Sequence, residues 1–176
     1  NEVSKIEKPT VLDAYAGIAT FGICVSDVAE KVTSVEENSS SIQKAKEVLK
    51  SNNIKNVELF AQDTLRYLKS IKKKFDIIIL DPPRKGCTQE VLDEVLRHLK
   101  SSHSKAESDE ILRSAQNDAI AEGASKGKII YVSCNPATLA RDLKYLTEHG
   151  AKVESIQPFD MFCHTYHIEN VAIINL

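Results

Sequence analysis

Residues 130–139, IYVSCNPATL, put a thiol, Cys134, where β-branched strand formers give way to Asn-Pro and then to helix formers. Asn before Pro at a helix start predicts Asn135 as the cap and Pro136 as the first helical residue, which leaves Cys134 just outside the helix, facing its unpaired amides. The positive end of a helix favours thiolate, the nucleophilic form of cysteine. A buried structural cysteine is the alternative reading. A second chemical element is Asp81-Pro-Pro-Arg84-Lys-Gly86. Two consecutive prolines fix the backbone and remove two donors, so this loop is stiff and holds Asp81 in one place. A third is the run from Phe159 to Asn170, FDMFCHTYHIEN, in which Glu169 offers a general base and His164 and His167 compete for the role.

The N-terminal third carries carboxylates at intervals that suit a nucleoside. Asp13-Ala-Tyr-Ala-Gly17-Ile-Ala-Thr20 combines a carboxylate with a glycine that lets the backbone approach a ligand, but a full GxGxxG for dinucleotide phosphates is missing. Glu36 stands 23 positions after Asp13, a distance that suits acceptance of hydrogen bonds from ribose hydroxyls, and Asp63 is placed to reach an adenine amine. Asp63 alone reads equally as a helix cap or solvated charge, and Glu36 less so. As a set, ribose and adenine contacts without a pyrophosphate cradle fit S-adenosylmethionine better than a nicotinamide cofactor.

These residues need elements to bring them together. Apolar, β-branched runs (TVLDAY, VTSVEE, VELFAQD, FDIIILDPP, KIIYVSC) alternate with helical patterns, including a turn and helix over AGIATFGICVSDVAEK and an amphipathic SSSIQKAKEVLKSNN with Ile42, Ala45, Val48 and Leu49 on one face. Strand alternating with helix predicts an α/β fold: a Rossmann-like, mostly parallel sheet with helices on both faces. VESIQPFD and NVAIINL have almost no room for a crossover helix between them, which predicts an antiparallel pair at one edge. Ligands of such sheets bind outside the carboxyl ends of the strands, near the point where strand order reverses. Asp13, Glu36, Asp63, Asp81 and Cys134 all end or follow predicted strands. Residues 101–127 are polar and fit the alternation poorly; they read as a surface insertion.

Composition bounds the partners. The chain has 176 residues, 42% hydrophobic and 27% charged, the size of one domain with a sizeable core. Its net charge of −2 argues against strong non-specific nucleic-acid binding by this chain alone. Cys24, Cys87, Cys134 and Cys163 form no CxxC pair, so free thiols are expected rather than a metal knuckle or disulfide framework. The absence of a long apolar run or signal-peptide core makes a soluble cytoplasmic protein the expectation. The start at Asn1, within ten residues of a strand, is what a fragment of a longer protein would show.

Beside a methyl donor, a thiolate has a specific use. The C5 carbon of uracil is a poor nucleophile, but addition of a thiolate at C6 pushes electron density onto O4 and C5, and the enolate can take the sulfonium methyl. A base must then remove the C5 proton so that the enzyme can leave C6 by elimination.

The sequence here resembles the S-adenosylmethionine-dependent RNA uracil-C5 methyltransferases, through DPPRKG, YVSCNPATLARDL and FDMFCHTYHIEN, over nearly the whole chain outside 101–127. The resemblance implies a class I methyltransferase domain in which Cys134 matches the nucleophile, Glu169 the base and Asp81 the carboxylate that orients uracil. Gly17, Glu36 and Asp63 fall on its cofactor positions, and S-adenosyl-L-methionine is the implied cofactor. The closing motifs are more similar to the branch that methylates 23S rRNA than to the transfer-RNA branch. The chain departs from the family at Ala19, usually Gly, and Cys163, usually Pro. Upstream RNA-binding regions carried by family members are also absent from it, so cofactor binding is expected to survive and activity on intact RNA to be poor. Two other classes stay open: an exocyclic-amine methyltransferase, against which Arg84 counts because an aromatic is usual there, and a non-catalytic cofactor- or partner-binding module.

Overall fold

The computed structural model describes residues 2–99, 127–161, 164–165 and 168–176. The predicted insertion at 101–127 therefore falls outside the described residues except for Gly127, and Cys163 and His167 lie outside them too.

Among the described residues a short 3-10 helix (Val3–Lys5) precedes seven strands and five α-helices, in the order β1 (Thr10–Ala14), α1 (Thr20–Cys24), β2 (Lys31–Glu36), α2 (Ser39–Ser51), β3 (Val57–Ala61), α3 (Thr64–Ser70), β4 (Ile77–Leu80), α4 (Gln89–His98), β5 (Lys128–Ser133), α5 (Pro136–Glu148), β6 (Lys152–Phe159) and β7 (Glu169–Asn175). The strands form one sheet in the order β3-β2-β1-β4-β5-β7-β6. From β1 the chain steps outward to β3, then returns to β4 beside β1, so the strand order reverses at the β1/β4 boundary.

β1 to β5 pair in parallel. β7 runs against both β5 and β6 and sits one strand in from the edge, so the predicted antiparallel pair is present with β6 outermost. That arrangement matters for the site. Because β7 is reversed, its first residue lies at the edge where the parallel strands end.

β4 shows how the sheet is buried. All four of its residues are buried; Ile77 and Ile79 join the cluster that includes Val11, Val32 and Val25, while Ile78 and Leu80 join the one that contains Leu92, Leu143 and Leu146. Period-two alternation sends successive side chains to opposite faces, so a continuous apolar run is required where both faces are covered. α2 buries Ile42, Ala45 and Leu49 as predicted, with Val48 half-buried at the margin. The helix predicted after β1 is much shorter than its sequence pattern. Gly17 and Ala19 both adopt left-handed backbone, at φ 55° and 61°, so α1 begins only at Thr20. It stops at Cys24, after which the chain turns through Val25 to Ala29.

Candidate active site

A cleft of about 420 Å³ opens at the carboxyl ends of β1, β2, β3 and β4, lined by Tyr15, Glu36, Asp63, Thr64, Asp81 and Pro82 among others. It brings together three of the carboxylates singled out in the sequence. Glu36 ends β2, where Oε2 accepts from the Gly17 N–H (2.9 Å) and Oε1 from the Asn38 N–H (2.8 Å). One carboxylate oxygen is thus tied to the loop after β1 and the other to the start of α2. Asp63 is the cap of α3, accepting from the Arg66 N–H at 2.9 Å, and still lines the cleft. Asp81 follows β4, half-buried, and burial holds its carboxyl above the ordinary carboxylate range. With Glu37, the lining holds four carboxylates against one cation, Lys85. Such a lining repels pyrophosphate and attracts a cationic ligand.

Asp13 is placed differently from the sequence expectation: it lies beneath the cleft, with no exposed surface. Its position in β1 sends the side chain to the same face as Val11, under α1, because side chains alternate along a strand. Oδ2 accepts from the Gly22 N–H and the Ser34 hydroxyl, both at 3.0 Å, while Oδ1 is buried without a partner. Burial pushes its pKa up to about 7, against the two hydrogen bonds, which pull it down. Gly22, unremarked in the sequence, is the glycine that permits close approach here. A Cβ on it would lie 2.4 Å from Ser34 Oγ and 2.9 Å from Asp13 Oδ2.

Asp13 makes the stability of the fold depend on pH. Between its ordinary pKa of 3.8 and about 7 the unfolded chain releases a proton that the folded chain keeps, so Asp13 destabilises the fold progressively as pH rises through this window. Three pKa units correspond to about 4 kcal/mol at most. Asp13→Asn, which retains an acceptor oxygen, should gain stability relative to wild type from pH 4 to 7 and then level off, measured by denaturant unfolding. A difference that does not change with pH would contradict this assignment.

Cys134 and Glu169 lie outside the cleft lining, farther along the same edge. β5 and β7 pair with Ser133 opposite Asn170, so the next pair of positions outward is Cys134 and Glu169. Asn170 braces both: its side-chain amide donates to the Ser133 carbonyl (3.3 Å) and the Ile168 carbonyl (3.2 Å), the residues just before Cys134 and Glu169. Burial raises the Glu169 pKa, and the charge of Asp81 raises it further, which places the two carboxylates within electrostatic reach. Cys134 is half-buried, whereas Cys87 is buried and its thiol is pushed up to about 12 chiefly by burial. Cys87 therefore stays protonated. His164 is exposed, on a left-handed residue at φ 64°.

Asn135 caps α5 as predicted, accepting from the Ala137 N–H at 3.0 Å with Pro136 in the first turn. The rest of that helix face carries contacts that the Asn-Pro motif does not announce. Asn135 Nδ2 and Thr138 Oγ1 both donate to the Arg84 carbonyl, at 3.2 and 3.1 Å. Arg141 Nη2 donates to the carbonyls of Lys85 (2.9 Å) and Cys87 (3.1 Å). Buried Asp142 accepts from the Cys87 N–H at 2.8 Å and the Tyr131 hydroxyl at 2.6 Å. The helix that starts beside Cys134 thus clamps the backbone that follows Asp81. The available signal was the spacing of Asn135, Thr138, Arg141 and Asp142, which share one helix face.

Gly86 is the point where this clamp closes. Its φ is +74°, and a Cβ would lie 2.5 Å from Asp142 Oδ2 and 2.6 Å from Arg141 Nη2. Left-handed strain of about 1–2 kcal/mol adds to about 1–3 kcal/mol of overpacking. Gly86→Ala should therefore lose about 2–5 kcal/mol in denaturant unfolding; a loss under about 0.5 kcal/mol, typical of surface changes, would contradict the clamp.

Among the described residues no helix is long and apolar enough to cross a membrane, and no group of three or more His, Cys, Asp or Glu is placed to hold a metal ion.

The chain is 38% identical over 164 residues to an uncharacterized RNA methyltransferase of Thermotoga maritima, covering 93% of the chain and 31% of that protein. It is 34% identical over 170 residues to one of Clostridium tetani, covering 97% and 32%. The chain thus spans about a third of the length of these curated relatives. Among solved structures it is similar to the Pyrococcus abyssi tRNA (uracil-54, C5)-methyltransferase in complex with S-adenosyl-L-homocysteine, with a TM-score of 0.71 and 30% identity over 98% of this chain and 36% of that one. A precorrin-6y C5,15-methyltransferase of Geobacter metallireducens, 17% identical with a TM-score of 0.72 over 99% of this chain and 84% of that one, shares the Rossmann-like class I methyltransferase fold. The family model described as conserved hypothetical protein 95 matches residues 2–147, and the chain belongs to that family.

Proposed function

We propose that this chain is the catalytic domain of an RNA methyltransferase that moves a methyl group from S-adenosylmethionine to C5 of a uridine, through a covalent bond between Cys134 and C6. The observation that carries the reading is the β5–β7 register, which ends at Ser133 opposite Asn170 and so leaves Cys134 and Glu169 at adjoining positions on one sheet edge, with Asp81 in electrostatic reach of Glu169. The acidic cleft suits a sulfonium cofactor, and the relatives are named RNA methyltransferases.

Glu36 and Asp63 would hold the nucleoside part of the cofactor, with Gly17 N–H and Asp81 at its border. When bound, the cofactor supplies a methyl group on a sulfonium. The chain's residues do the rest. The Cys134 thiolate adds to C6, and the ring electron pair moves onto C5 and O4. Once C5 has taken the methyl group, the Glu169 carboxylate removes the C5 proton, and the returning electron pair expels Cys134. A base with a raised pKa binds that proton more firmly than an ordinary carboxylate would. Asp81 orients the uracil edge.

The test uses a short RNA carrying 5-fluorouridine, incubated with the chain and S-adenosylmethionine and read by intact-protein mass spectrometry. Fluorine at C5 cannot leave as a proton, so a covalent methylated complex should accumulate. If no adduct forms while the cofactor still binds in calorimetry, the uracil-C5 chemistry is not carried by this chain.

The closing motifs favour 23S rRNA as the target. The likeness to the Pyrococcus abyssi tRNA enzyme supports a second reading, a tRNA uridine. Methylation of rRNA and tRNA transcripts side by side separates the two.

A further inference from the structure

We infer that Phe159 is a stacking platform for the nucleobase next to the target uridine in a single-stranded RNA; this rests on the uracil-C5 reading of the same edge. β6 and β7 pair with Phe159 directly opposite Glu169. Residues opposite one another in an antiparallel pair project to the same face, with Cβ atoms about 4.5–5.5 Å apart. On the other side of β7 the register with β5 ends at Ser133 opposite Asn170, and Cys134 is the next residue. Phe159 and Glu169 are therefore direct cross-strand neighbours, and Cys134 stands at the adjoining end of β5, on the side away from the acidic cleft.

The ring is 45% exposed and joins none of the three clusters of buried residues, and Met161, two positions on, is 69% exposed. An aromatic side chain left out of the core beside a candidate catalytic pair has a use that the chemistry demands. Attack at C6 takes the uracil off its stack, and its neighbour loses a stacking partner. An exposed ring restores one, and base–aromatic stacking accepts any base because each has a π-face. The charge distribution favours a base over a phosphate as the occupant: Glu169, Asp81 and the exposed Asp160 are all acidic, and the chain carries a net charge of −2. RNA held here by phosphate neutralisation would be poorly served; RNA held by stacking would not.

The chain contains no tryptophan, so Phe159→Trp introduces a single fluorescent reporter at an exposed position. Titration with a short single-stranded RNA carrying one 5-fluorouridine should quench its emission, and the quenching should persist at high salt. In the wild-type background, Phe159→Ala should raise the half-saturating RNA concentration for adduct formation about tenfold or more, leave the rate at saturating RNA unchanged, and be rescued by Phe159→Trp. Adduct formation by Phe159→Ala at wild-type half-saturation, with no quenching in Phe159→Trp, would overturn the platform while leaving the uracil-C5 reading intact. The exposed ring would then be a contact for another polypeptide segment. If wild type forms no adduct, that reading fails instead, and the fluorescence titration alone decides whether RNA stacks on residue 159.

Discussion

Replacing Cys134 by alanine is expected to eliminate the covalent complex with 5-fluorouridine RNA and to lower methylation of uridine RNA by about 10⁴-fold or more, the scale of losing a nucleophile from a catalytic unit. The size follows from the chemistry of C5, which is too poor a nucleophile to accept a methyl group until a thiolate has added at C6. Cofactor affinity should stay at the wild-type level, because the acidic cleft is lined from β1 to β4 and does not include Cys134. Measuring both matters. An unfolded variant would lose cofactor binding too, whereas a variant that binds cofactor and still methylates would point to an exocyclic-amine enzyme, which needs no thiol.

Glu169→Gln separates the two halves of the reaction. Glutamine keeps the shape and hydrogen-bonding reach of the side chain but cannot take a proton, so addition and methyl transfer proceed while elimination stalls. Turnover should fall by about 10²–10⁴-fold. A methylated adduct on Cys134 should now accumulate even with ordinary uridine, seen as a mass shift that wild type does not retain. The wild-type turnover rate should also rise with pH through the raised pKa of Glu169, since the base works only when deprotonated; burial and the Asp81 charge both push that value up. Normal turnover in Glu169→Gln would assign the proton to another group, with His164 and His167 the first to test.

Much of this site was legible one residue at a time. Asp81 reads from its two prolines, Cys134 from the Asn-Pro that follows it, and Glu36 from its distance to the first strand. These are local facts. Cap preference, proline geometry and strand periodicity act over a few residues, so they survive in a linear reading, and so does the continuous apolar run of β4, which requires burial on both faces. The same locality explains the overlong first helix: its apolar pattern extends past Cys24, but the turn through Val25 to Ala29 is set by tertiary hydrogen bonds, including Glu30 N–H to the Pro9 carbonyl.

Asp13 shows where a linear reading fails. A carboxylate at the end of a first strand looks like a ligand group, and only the face of β1 from which it projects decides whether it meets solvent or the underside of α1. Local patterning sets which residue types end each strand, and hence that a thiol, several carboxylates and a stiff loop gather at one edge of an α/β sheet. The tertiary structure decided which of them meet. β7 slots in reversed between β5 and β6, which brings Glu169 to the end of β5 where Cys134 follows, and sets Phe159 opposite Glu169. α5 folds back to clamp residues 84–87. Strand order and register come from long-range pairing of backbone groups that are chemically alike in every residue, so side-chain identity along the chain does not specify them until the core is packed.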